Sequence, residues 1–383
     1  MNDSDDNIYL PDELVTASPG FTLDIGASTA KIIYRSKLDY RNGVWIGDSE
    51  KDDTESEGLS RLKFCKLPCD DTDQIIALIR NHCDITRQEE VPEVIVTGNG
   101  CNRHKEVLEK ELQIRMNILS EFDMAVDGAF LLLKTSKETF WPLVGDPQRK
   151  AENNFKQVQD WIKSGTDQTR QKWLMMQDLE ETLSWKPDTS KTFPFLLVTC
   201  GSGFGFDKIF PDGRFERVDH SLFGGRSILG LLNQLTNEKD FDKLIDMASS
   251  SNGRTTDLFG SDIAKQSSES DAYSALDQDD MVLFPFGKAY DNNDVKKGDM
   301  VHSLFSIVSL NLSQISHLVA IVHDCPLVVF TGNLVTSQFM RDSITFEMKL
   351  RNLGSPASKR VNFGFMKHGG YLTAIGAFAA GAK

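Results

Sequence analysis

Hydrophobic residues in this chain form short unbroken runs that alternate with stretches of helical periodicity. The clearest run is 193–200, which is apolar and β-branched without polar alternation. That pattern is typical of a strand buried on both faces. A glycine-rich tripeptide ends the run, and two shorter apolar runs follow on either side of Pro211-Asp212-Gly213. Because proline followed by Asp-Gly favours a tight turn, these runs predict a hairpin.

The same alternation predicts the remaining elements. Strands are predicted at 21–25, 30–35, 44–46, 61–67, 93–97 and 327–331. Apolar residues three and four positions apart predict helices at 73–83, 121–134, 225–232, 237–247, 301–323, 335–350 and 371–380. Strands that alternate with helices indicate an α/β architecture.

At 383 residues the chain is large for one hydrophobic core, so two lobes are expected. We expect a flexible tail at 1–19, an N-terminal lobe at 20–136, a helical insertion at 137–192 and a C-terminal lobe at 193–383. The insertion is predicted to be a helical hairpin that holds four of the five tryptophans: Trp141, Trp161, Trp173 and Trp185. These tryptophans either pack the hairpin onto the nearer lobe or form a partner surface.

The composition of the chain argues against several classes of partner and site. A formal net charge of −14 argues against binding to nucleic acid or to an anionic membrane. The sequence suggests no apolar segment long enough to span a bilayer. Six scattered cysteines with no Cys-x-x-Cys pair indicate neither a disulfide framework nor a zinc site. Because the N-terminus has no signal-peptide pattern either, a cytoplasmic protein is expected.

Candidate phosphate chemistry begins at Asp24, which ends a buried strand. A carboxylate there can order Mg²⁺ and its waters, and the small and hydroxylated residues that follow can bind phosphate oxygens. The predicted phosphate-binding residues of this turn are Gly26, Ala27, Ser28, Thr29 and Lys31. A lysine at the end of a turn is also often only solvated. The turn is not a P-loop, because no Gly-Lys-Ser/Thr opens a helix here.

Later glycine-rich turns also offer backbone N–H groups to phosphate. The predicted phosphate-binding residues in them are Gly201, Ser202, Gly203, Gly224, Gly225, Gly332 and Asn333. Ordinary hairpin turns give similar patterns, so each motif alone is weak. Asp-Ile-Gly early, Gly-Ser-Gly in mid-chain and Thr-Gly-Asn late together resemble the phosphate and adenosine signature of the actin, Hsp70 and hexokinase superfamily.

A closer resemblance is to the eukaryotic-type (type II) pantothenate kinases. The motifs that carry it follow one another across most of 21–381: Glu121-Phe122-Asp123 with Gly128, residues 197–203, Arg217-Val218, Gly224-Gly225 with 229–231, residues 329–333 and residues 368–371. The resemblance implies a two-lobed actin/hexokinase-like α/β fold. It further implies ATP and Mg²⁺ as cofactors, pantothenate as acceptor and acyl-CoA as feedback inhibitor.

The resemblance also implies a dimer, either a homodimer or a heterodimer with a related subunit, with helix 301–323 at the interface. The apolar stripe of this helix is wider than one lobe should need, which independently predicts an interface. The stripe comprises Val301, Leu304, Phe305, Val308, Leu312, Ile315, Val319 and Val322.

Individual roles follow from matching positions in the family. Glu121 corresponds to the catalytic base that takes the proton of the pantothenate hydroxyl, and partial burial would raise its pKa toward neutrality. Arg217 corresponds to an arginine that contacts substrate, and Ser202 and Gly205 fall at substrate positions. Without the family, Glu121 would be read as a helix-start carboxylate. Arg217 would be read as an exposed strand residue that pairs with Glu216.

Several positions depart from the family pattern. Ala27 and Arg226 replace glycines, Gly205 replaces a serine, His220 replaces a glycine and Ser120 replaces an aspartate. A lost hydrogen bond to substrate costs about 0.5–1.5 kcal/mol, which weakens a site without abolishing it. Two functions therefore stay open. The first, which we favour, is an ATP-dependent pantothenate kinase that makes 4'-phosphopantothenate in the first step of coenzyme A biosynthesis. The second is a catalytically weak or non-catalytic subunit that supports or regulates an active kinase.

Overall fold

The computed structural model describes residues 7–18, 20–26, 29–35, 40–41, 44–45, 59–83, 91–135, 140–141, 193–266, 282–292 and 294–382. They fall into two compact units. The first comprises Met1–Thr139, Asp212–Phe215 and Lys367–Lys383, and the second comprises Phe140–Pro211 and Glu216–Met366. Except for residues 140–141, the predicted insertion lies outside the described residues, and so do three of its four tryptophans.

A six-stranded sheet forms the centre of the first unit. Its strands in spatial order are β1 (Asn7–Pro11), β6 (Leu59–Pro68), β3 (Thr29–Tyr34), β2 (Phe21–Ile25), β7 (Glu93–Thr97) and β8 (Arg115–Leu119). β2, β7 and β8 are parallel, whereas β3 runs antiparallel to both of its neighbours. β2 is buried along its whole length, because it lies between strands on both sides and beneath helices.

The helices of this unit are α1 (Asp12–Ala17), α2 (Thr72–His82), α3 (Cys101–Leu112), α4 (Glu121–Thr135) and α10 (Leu372–Ala380). The prediction for α2 is confirmed, and the Asp71 carboxylate caps it by accepting from the Gln74 N–H at 2.9 Å. The sequence pattern did not predict α3. The predicted strand at 44–46 is β5 (Val44–Trp45), which pairs with β4 (Tyr40–Arg41) in a separate hairpin.

The prediction of a flexible tail at 1–19 is wrong for residues 7–17. β1 pairs antiparallel with β6, and α1 follows it directly. Ile8, Leu10 and Val15 are buried, and the hydroxyl of Ser60 donates to the Asp12 carboxylate. These three apolar side chains anchor the segment although acidic residues surround them. The segment pairs there because the edge of β6 is available to a further strand.

The predicted boundary of the C-terminal lobe also needs correction, since residues 367–383 belong to the first unit. α10 lies directly against α4 at two glycines. A β-carbon on Gly128 would meet the Leu372 carbonyl, and one on Gly376 would meet the Met124 carbonyl. Close approach of two helix backbones therefore fixes the end of the chain to the helix that begins at Glu121.

The second unit repeats the strand order of the first. Its sheet is β11 (Phe215–Ser221), β10 (Phe204–Ile209), β9 (Phe195–Cys200), β14 (Leu327–Thr331) and β15 (Asn362–Phe365). β9, β14 and β15 are parallel, and β10 is antiparallel to β9. The first unit has the same order in β6–β3–β2–β7–β8. Two lobes that each carry this sheet are what the actin/hexokinase-like α/β assignment requires, and the predicted fold class is confirmed.

The helices of the second unit are α5 (Gly225–Thr236), α6 (Phe241–Ser249), α7 (Gly260–Gln266), α8 (Lys297–Val322) and α9 (Gln338–Gly354), and a small ladder joins β12 (Leu258–Phe259) to β13 (Val282–Phe284). The start of the insertion is attached to this unit. Phe140 bridges Met366, and the Arg341 guanidinium lies 4.3 Å from the centre of the Trp141 ring.

The apolar stripe of α8 faces the core of its own unit, so the argument from its width to a subunit interface is wrong. Its first five members are buried there, and Ile315 and Val319 pack against the same core. Only Val322 is largely exposed, at 73%. The stripe is wide because α5, α6 and α9 all contact this helix.

α8 also corrects the expectation that no segment reaches membrane-spanning length. With 26 residues it is long and apolar enough to cross a bilayer, alone among the helices in the described ranges. Core helices of soluble units share these properties. Because its apolar stripe is buried within the second unit, α8 is arranged like such a core helix.

Candidate functional site

Asp24 is the centre of the polar cluster in the first unit. It lies near the end of β2, and its side chain is only 5% exposed. The Thr373 hydroxyl donates to its Oδ2 at 2.5 Å, and Lys31 Nζ lies 3.5 Å from the same oxygen. Lys31 faces Asp24 directly across the β2–β3 ladder. The sequence analysis missed Thr373, which α10 supplies from the far end of the chain.

The turn after β7 passes beside the other carboxylate oxygen. Gly98 has a φ of +97°, and a β-carbon there would collide with the Ile25 backbone and lie 2.7 Å from Asp24 Oδ1. Gly100 donates its N–H to the Ile25 carbonyl at 2.7 Å. A side chain at position 98 would therefore crowd Oδ1, while Thr373 and Lys31 hold Oδ2.

These residues fit an ion held through a single protein carboxylate. Mg²⁺ prefers oxygen ligands and keeps several waters or phosphate oxygens in its shell. Among the described residues no cluster of three or more His, Cys, Asp or Glu could hold a metal. Asp24 Oδ1 is thus the protein atom best placed for Mg²⁺ that arrives with a phosphate ligand.

The turn between β2 and β3 is closed by the Gly26 N–H, which donates to the Thr29 carbonyl at 2.9 Å. It leads from Asp24 to Lys31, as the sequence predicts. Ala27 and Ser28, the middle of the predicted phosphate turn, lie outside the described residues. Gly26, Thr29 and Lys31 therefore lie close to Asp24 along the chain. Lys31 also lies opposite Asp24 in the β2–β3 ladder.

Glu121 is the first residue of α4, as predicted. The Ser120 hydroxyl caps the helix by accepting from the Asp123 N–H at 3.4 Å. The next residue, Phe122, is 51% exposed, whereas Met124, Ala125 and Val126 are buried.

The ionisation of Glu121 is coupled to the Asp24 cluster. Its side chain keeps contact with solvent, yet surrounding protein atoms desolvate it and raise its pKa above the ordinary glutamate value. The negative charge of Asp24 raises this pKa further, and the positive charge of Lys31 lowers it. The sequence analysis expected partial burial to raise this pKa.

Cys101 lies in the same cluster, and its side chain is buried. Its thiol donates to the Thr97 carbonyl at 2.8 Å. Burial raises its pKa to about 11, and Asp24 and Glu121 contribute to the rise. A thiol with such a pKa stays protonated at neutral pH.

In the second unit the two glycine pairs form one structure. The Gly225 N–H donates to the Gly201 carbonyl at 2.9 Å, and the Arg226 N–H donates to the Ser202 carbonyl at 3.0 Å. A β-carbon on Gly224 would overlap Gly203 and lie 2.8 Å from the Ser202 carbonyl oxygen. Glycine is therefore required there for the turn after β9 to lie against the start of α5.

The third predicted motif reaches the same end of this sheet. β14 pairs with β9 so that Thr331 lies opposite Thr199. Gly332 follows with a φ of +107°, and a β-carbon there would strike the backbone of Cys200. Asn333 begins a short 3-10 helix. The structure thus brings Gly201, Ser202, Gly203, Gly224, Gly225, Gly332 and Asn333 together.

Arg217 forms an ion pair with Asp207, whereas the partner considered from the sequence was Glu216. Its Nε donates to Asp207 Oδ1 at 2.5 Å, and its Nη2 donates to Oδ2 at 3.0 Å. Burial raises the pKa of Asp207, and Arg217 opposes that rise. The sequence analysis missed Asp207, although a lone acidic residue in the apolar strand 204–209 requires a partner.

Comparison with known proteins identifies the family of this chain. A family model described as Fumble, the pantothenate kinase family, matches residues 20–380. The chain belongs to the Fumble family. Among the curated proteins that resemble this Fumble-family chain, a mouse 4'-phosphopantetheine phosphatase is 26% identical over 97% of the chain. Pantothenate kinase 1 of Arabidopsis thaliana is 26% identical over 94%, and pantothenate kinase 2 of the same plant is 25% identical over 100%.

The Fumble-family chain spans 42% of the mouse protein, 41% of Arabidopsis pantothenate kinase 2 and 84% of Arabidopsis pantothenate kinase 1. Two solved structures also align with it. A ROK-family glucokinase from Streptomyces griseus, in complex with glucose and AMPPNP, covers 94% of the chain with a TM-score of 0.40 and 11% identity. A Balamuthia mandrillaris glucokinase in complex with glucose covers 98% with a TM-score of 0.40 and 13% identity.

Proposed function

We propose that this chain is an ATP-dependent pantothenate kinase that phosphorylates pantothenate to 4'-phosphopantothenate. The observation that carries the proposal is the match of the Fumble family model to residues 20–380. The Glu121 carboxylate supports it as a base, because desolvation and the charge of Asp24 raise its pKa. A general base is most effective when its pKa lies near the working pH. Relatives that are named pantothenate kinases support the choice of acceptor.

The proposed roles in the first unit follow from geometry. Asp24 would hold Mg²⁺, while Thr373 and Lys31 contact its Oδ2. Mg²⁺ with ATP supplies the phosphoryl group and neutralises charge that develops on it. Lys31 faces the phosphates with a side chain that is 17% exposed. Glu121 would take the proton of the acceptor hydroxyl as that oxygen bonds to the γ-phosphorus of ATP and the bond from this phosphorus to ADP breaks, so that ADP leaves.

The proposed roles in the second unit rest on backbone groups. The N–H groups of Ser202 and Gly203 in the turn 201–203 would bind phosphate oxygens, and Ser202 adds an exposed hydroxyl. Gly224 and Gly225 use their own N–H groups within the protein and would hold this turn in place. Gly332 and Asn333 complete the nucleotide-binding set. Arg217 and Gly205 face the acceptor. A homodimer or a heterodimer with a related subunit, acyl-CoA feedback and a cytoplasmic location also belong to this proposal and rest on the family relation alone.

A variant pair in one helix turn tests the role of the base. Glu121→Gln should lower turnover by a factor of about 10² or more, as loss of a general base does. Asp123→Asn removes a carboxylate from the same first turn and should leave turnover nearly unchanged. Both are measured by ADP release with pantothenate and saturating ATP. Equal activity of the two variants would remove Glu121 from the mechanism.

The alternative, a catalytically weak or non-catalytic supporting subunit, predicts another result. The purified unmodified protein would bind ATP and form no 4'-phosphopantothenate until a related active kinase subunit is added.

A further inference from the structure

Arg341 is a buried arginine at an unfavourable position in its own helix. It is the fourth residue of α9 (Gln338–Gly354), and it is only 7% exposed. The N-terminal end of a helix carries positive partial charge, so a cation in the first turn is disfavoured. Burial of a guanidinium also requires partners for its N–H groups. Contacts beyond the backbone of α9 must therefore offset both costs.

The guanidinium of Arg341 caps the 3-10 helix Asn333–Thr336. Its Nη1 donates to the Val335 carbonyl at 2.9 Å and to the Thr336 carbonyl at 2.7 Å. Its Nη2 donates to the side-chain oxygen of Gln338 at 2.7 Å. The last carbonyls of a helix have no partner within it and carry negative partial charge, so a cation is favoured beside them. Arg341 therefore stabilises the end of this short helix, although it lies at the beginning of its own.

The beginning of the same 3-10 helix is a proposed nucleotide contact. Gly332 precedes it with a φ of +107°, and Asn333 is its first residue. The Thr336 hydroxyl donates to the Asn333 carbonyl at 2.7 Å. A single turn thus joins Asn333 to the carbonyls that Arg341 holds. A shift of the Thr336 backbone would therefore also move Asn333.

Trp141 limits the positions that Arg341 can take. The guanidinium lies over the Trp141 ring, with its Cζ 4.3 Å from the ring centre. The backbone N–H of Trp141 donates to the Phe365 carbonyl at 2.8 Å, and Phe140 bridges Met366, so this residue is fixed beside β15. A planar guanidinium can stack on an aromatic face and still donate within its own plane, which a lysine ammonium cannot do. This contact therefore favours arginine at position 341.

We propose that Arg341 is a positioning residue for nucleotide binding, which holds Gly332 and Asn333 in place through the 3-10 helix and is itself held by Trp141. The inference rests on the proposed function and deepens it, since it takes Gly332 and Asn333 as nucleotide contacts. A loop that adopts its binding conformation only part of the time lowers the apparent affinity by that fraction. Loss of Arg341 should therefore weaken nucleotide binding although the contacting residues are unchanged.

Calorimetric titration of the full chain with AMPPNP and Mg²⁺ tests this role, because it measures the dissociation constant and the stoichiometry separately. Arg341→Met should raise the dissociation constant by about tenfold or more at unchanged stoichiometry, as a fall of the binding-competent fraction to about one in ten requires. Arg341→Lys keeps the charge and loses the planar stack, so its dissociation constant should lie between the two. A merely structural loss would reduce the folded fraction, and it would lower the stoichiometry while the dissociation constant stayed the same.

Arg351→Met is the matched control. Arg351 lies on the same helix, but its Nη2 donates to the Leu310 carbonyl and to the Gln314 side chain of α8. This variant should leave the dissociation constant of AMPPNP unchanged. In a kinase assay Arg341→Met should raise KM for MgATP and leave KM for pantothenate unchanged, because only the nucleotide contacts depend on the 3-10 helix.

An unchanged dissociation constant in a folded Arg341→Met variant would overturn the inference. If that variant does not fold, Trp141→Leu decides it. Loss of the stack should raise the constant by about threefold or more, and an unchanged constant would again overturn the inference. If the unmodified protein binds AMPPNP but phosphorylates no pantothenate, the kinase function fails and the ratio of dissociation constants still decides the role of Arg341. If it binds no nucleotide, both proposals are wrong.

Discussion

The hydroxyl of Thr373, in the last helix of the chain, donates a 2.5 Å hydrogen bond to Oδ2 of Asp24, which lies near its start. Lys31 lies 3.5 Å from the same oxygen, so one carboxylate oxygen is held from two elements. Gly98 passes beside the second oxygen, and a β-carbon there would lie 2.7 Å from it. This arrangement orients Asp24 before any nucleotide binds, and a side chain held in advance loses less entropy on binding.

Removal of the Thr373 hydroxyl should therefore weaken nucleotide binding. Thr373→Val keeps the shape of the side chain and leaves Asp24 Oδ2 with one fewer donor. A lost hydrogen bond to a charged group costs about 1.5–3 kcal/mol, so KM for MgATP should rise at least about tenfold. Thr373→Ser restores the hydroxyl and should restore KM. A Thr373→Val enzyme with an unchanged KM for MgATP would show that this hydrogen bond does not position Asp24.

The raised pKa of Glu121 predicts the acid side of the pH profile. The base works only when it is deprotonated, so kcat/KM should fall as the pH drops through a pKa above the ordinary value of 4.5. Lys31 lowers this pKa, hence Lys31→Met should move the acid limb to higher pH. Lys105→Met removes a lysine that pairs with Glu109 on α3 and should leave the limb in place. A limb that stays at ordinary glutamate pH in every variant would contradict the assignment.

Two glycines near the start of α5 should respond oppositely to alanine. A β-carbon at Gly224 would overlap Gly203, whereas one at Gly230 meets no atom within 4 Å. Gly224→Ala should destabilise the protein by roughly 1–3 kcal/mol, as overpacking does, and should impair ATP binding. Gly230→Ala should stabilise it by about 0.5–1 kcal/mol, because alanine favours a helix interior. Urea unfolding measures both, and equal midpoints would refute the close contact of the two glycine turns.

Much of the fold could be predicted from hydrophobic periodicity. The strands 21–25 and 93–97 have the predicted bounds in the structure, and α4 begins at the predicted residue. Periodicity cannot show which strand edge pairs with a short segment, so β1 and α1 were not predicted. It also could not show how many helices enclose α8. The stripe of that helix therefore suggested a second subunit where neighbouring helices of the same unit supply the contacts.

Prediction of the candidate site from the sequence has the same limit, because local patterns do not show tertiary contacts. Asp24, Lys31 and Glu121 were found from motifs because each lies beside a turn or helix start. Thr373 and Asp207 belong to no phosphate motif, and only tertiary contacts connect them to Asp24 and Arg217. A buried acidic residue in an apolar strand was the one signal that could have revealed Asp207. No comparable local signal marks Thr373.

The most direct test of the kinase proposal is phosphorus NMR of the purified protein with ATP, Mg²⁺ and pantothenate. The account predicts a phosphomonoester signal of 4'-phosphopantothenate that grows in step with ADP and disappears when pantothenate is omitted. It also predicts that Glu121→Gln suppresses this signal. ATP that stays intact in the presence of the folded protein, or ATP that yields only orthophosphate, would contradict the assignment of this chain as a pantothenate kinase.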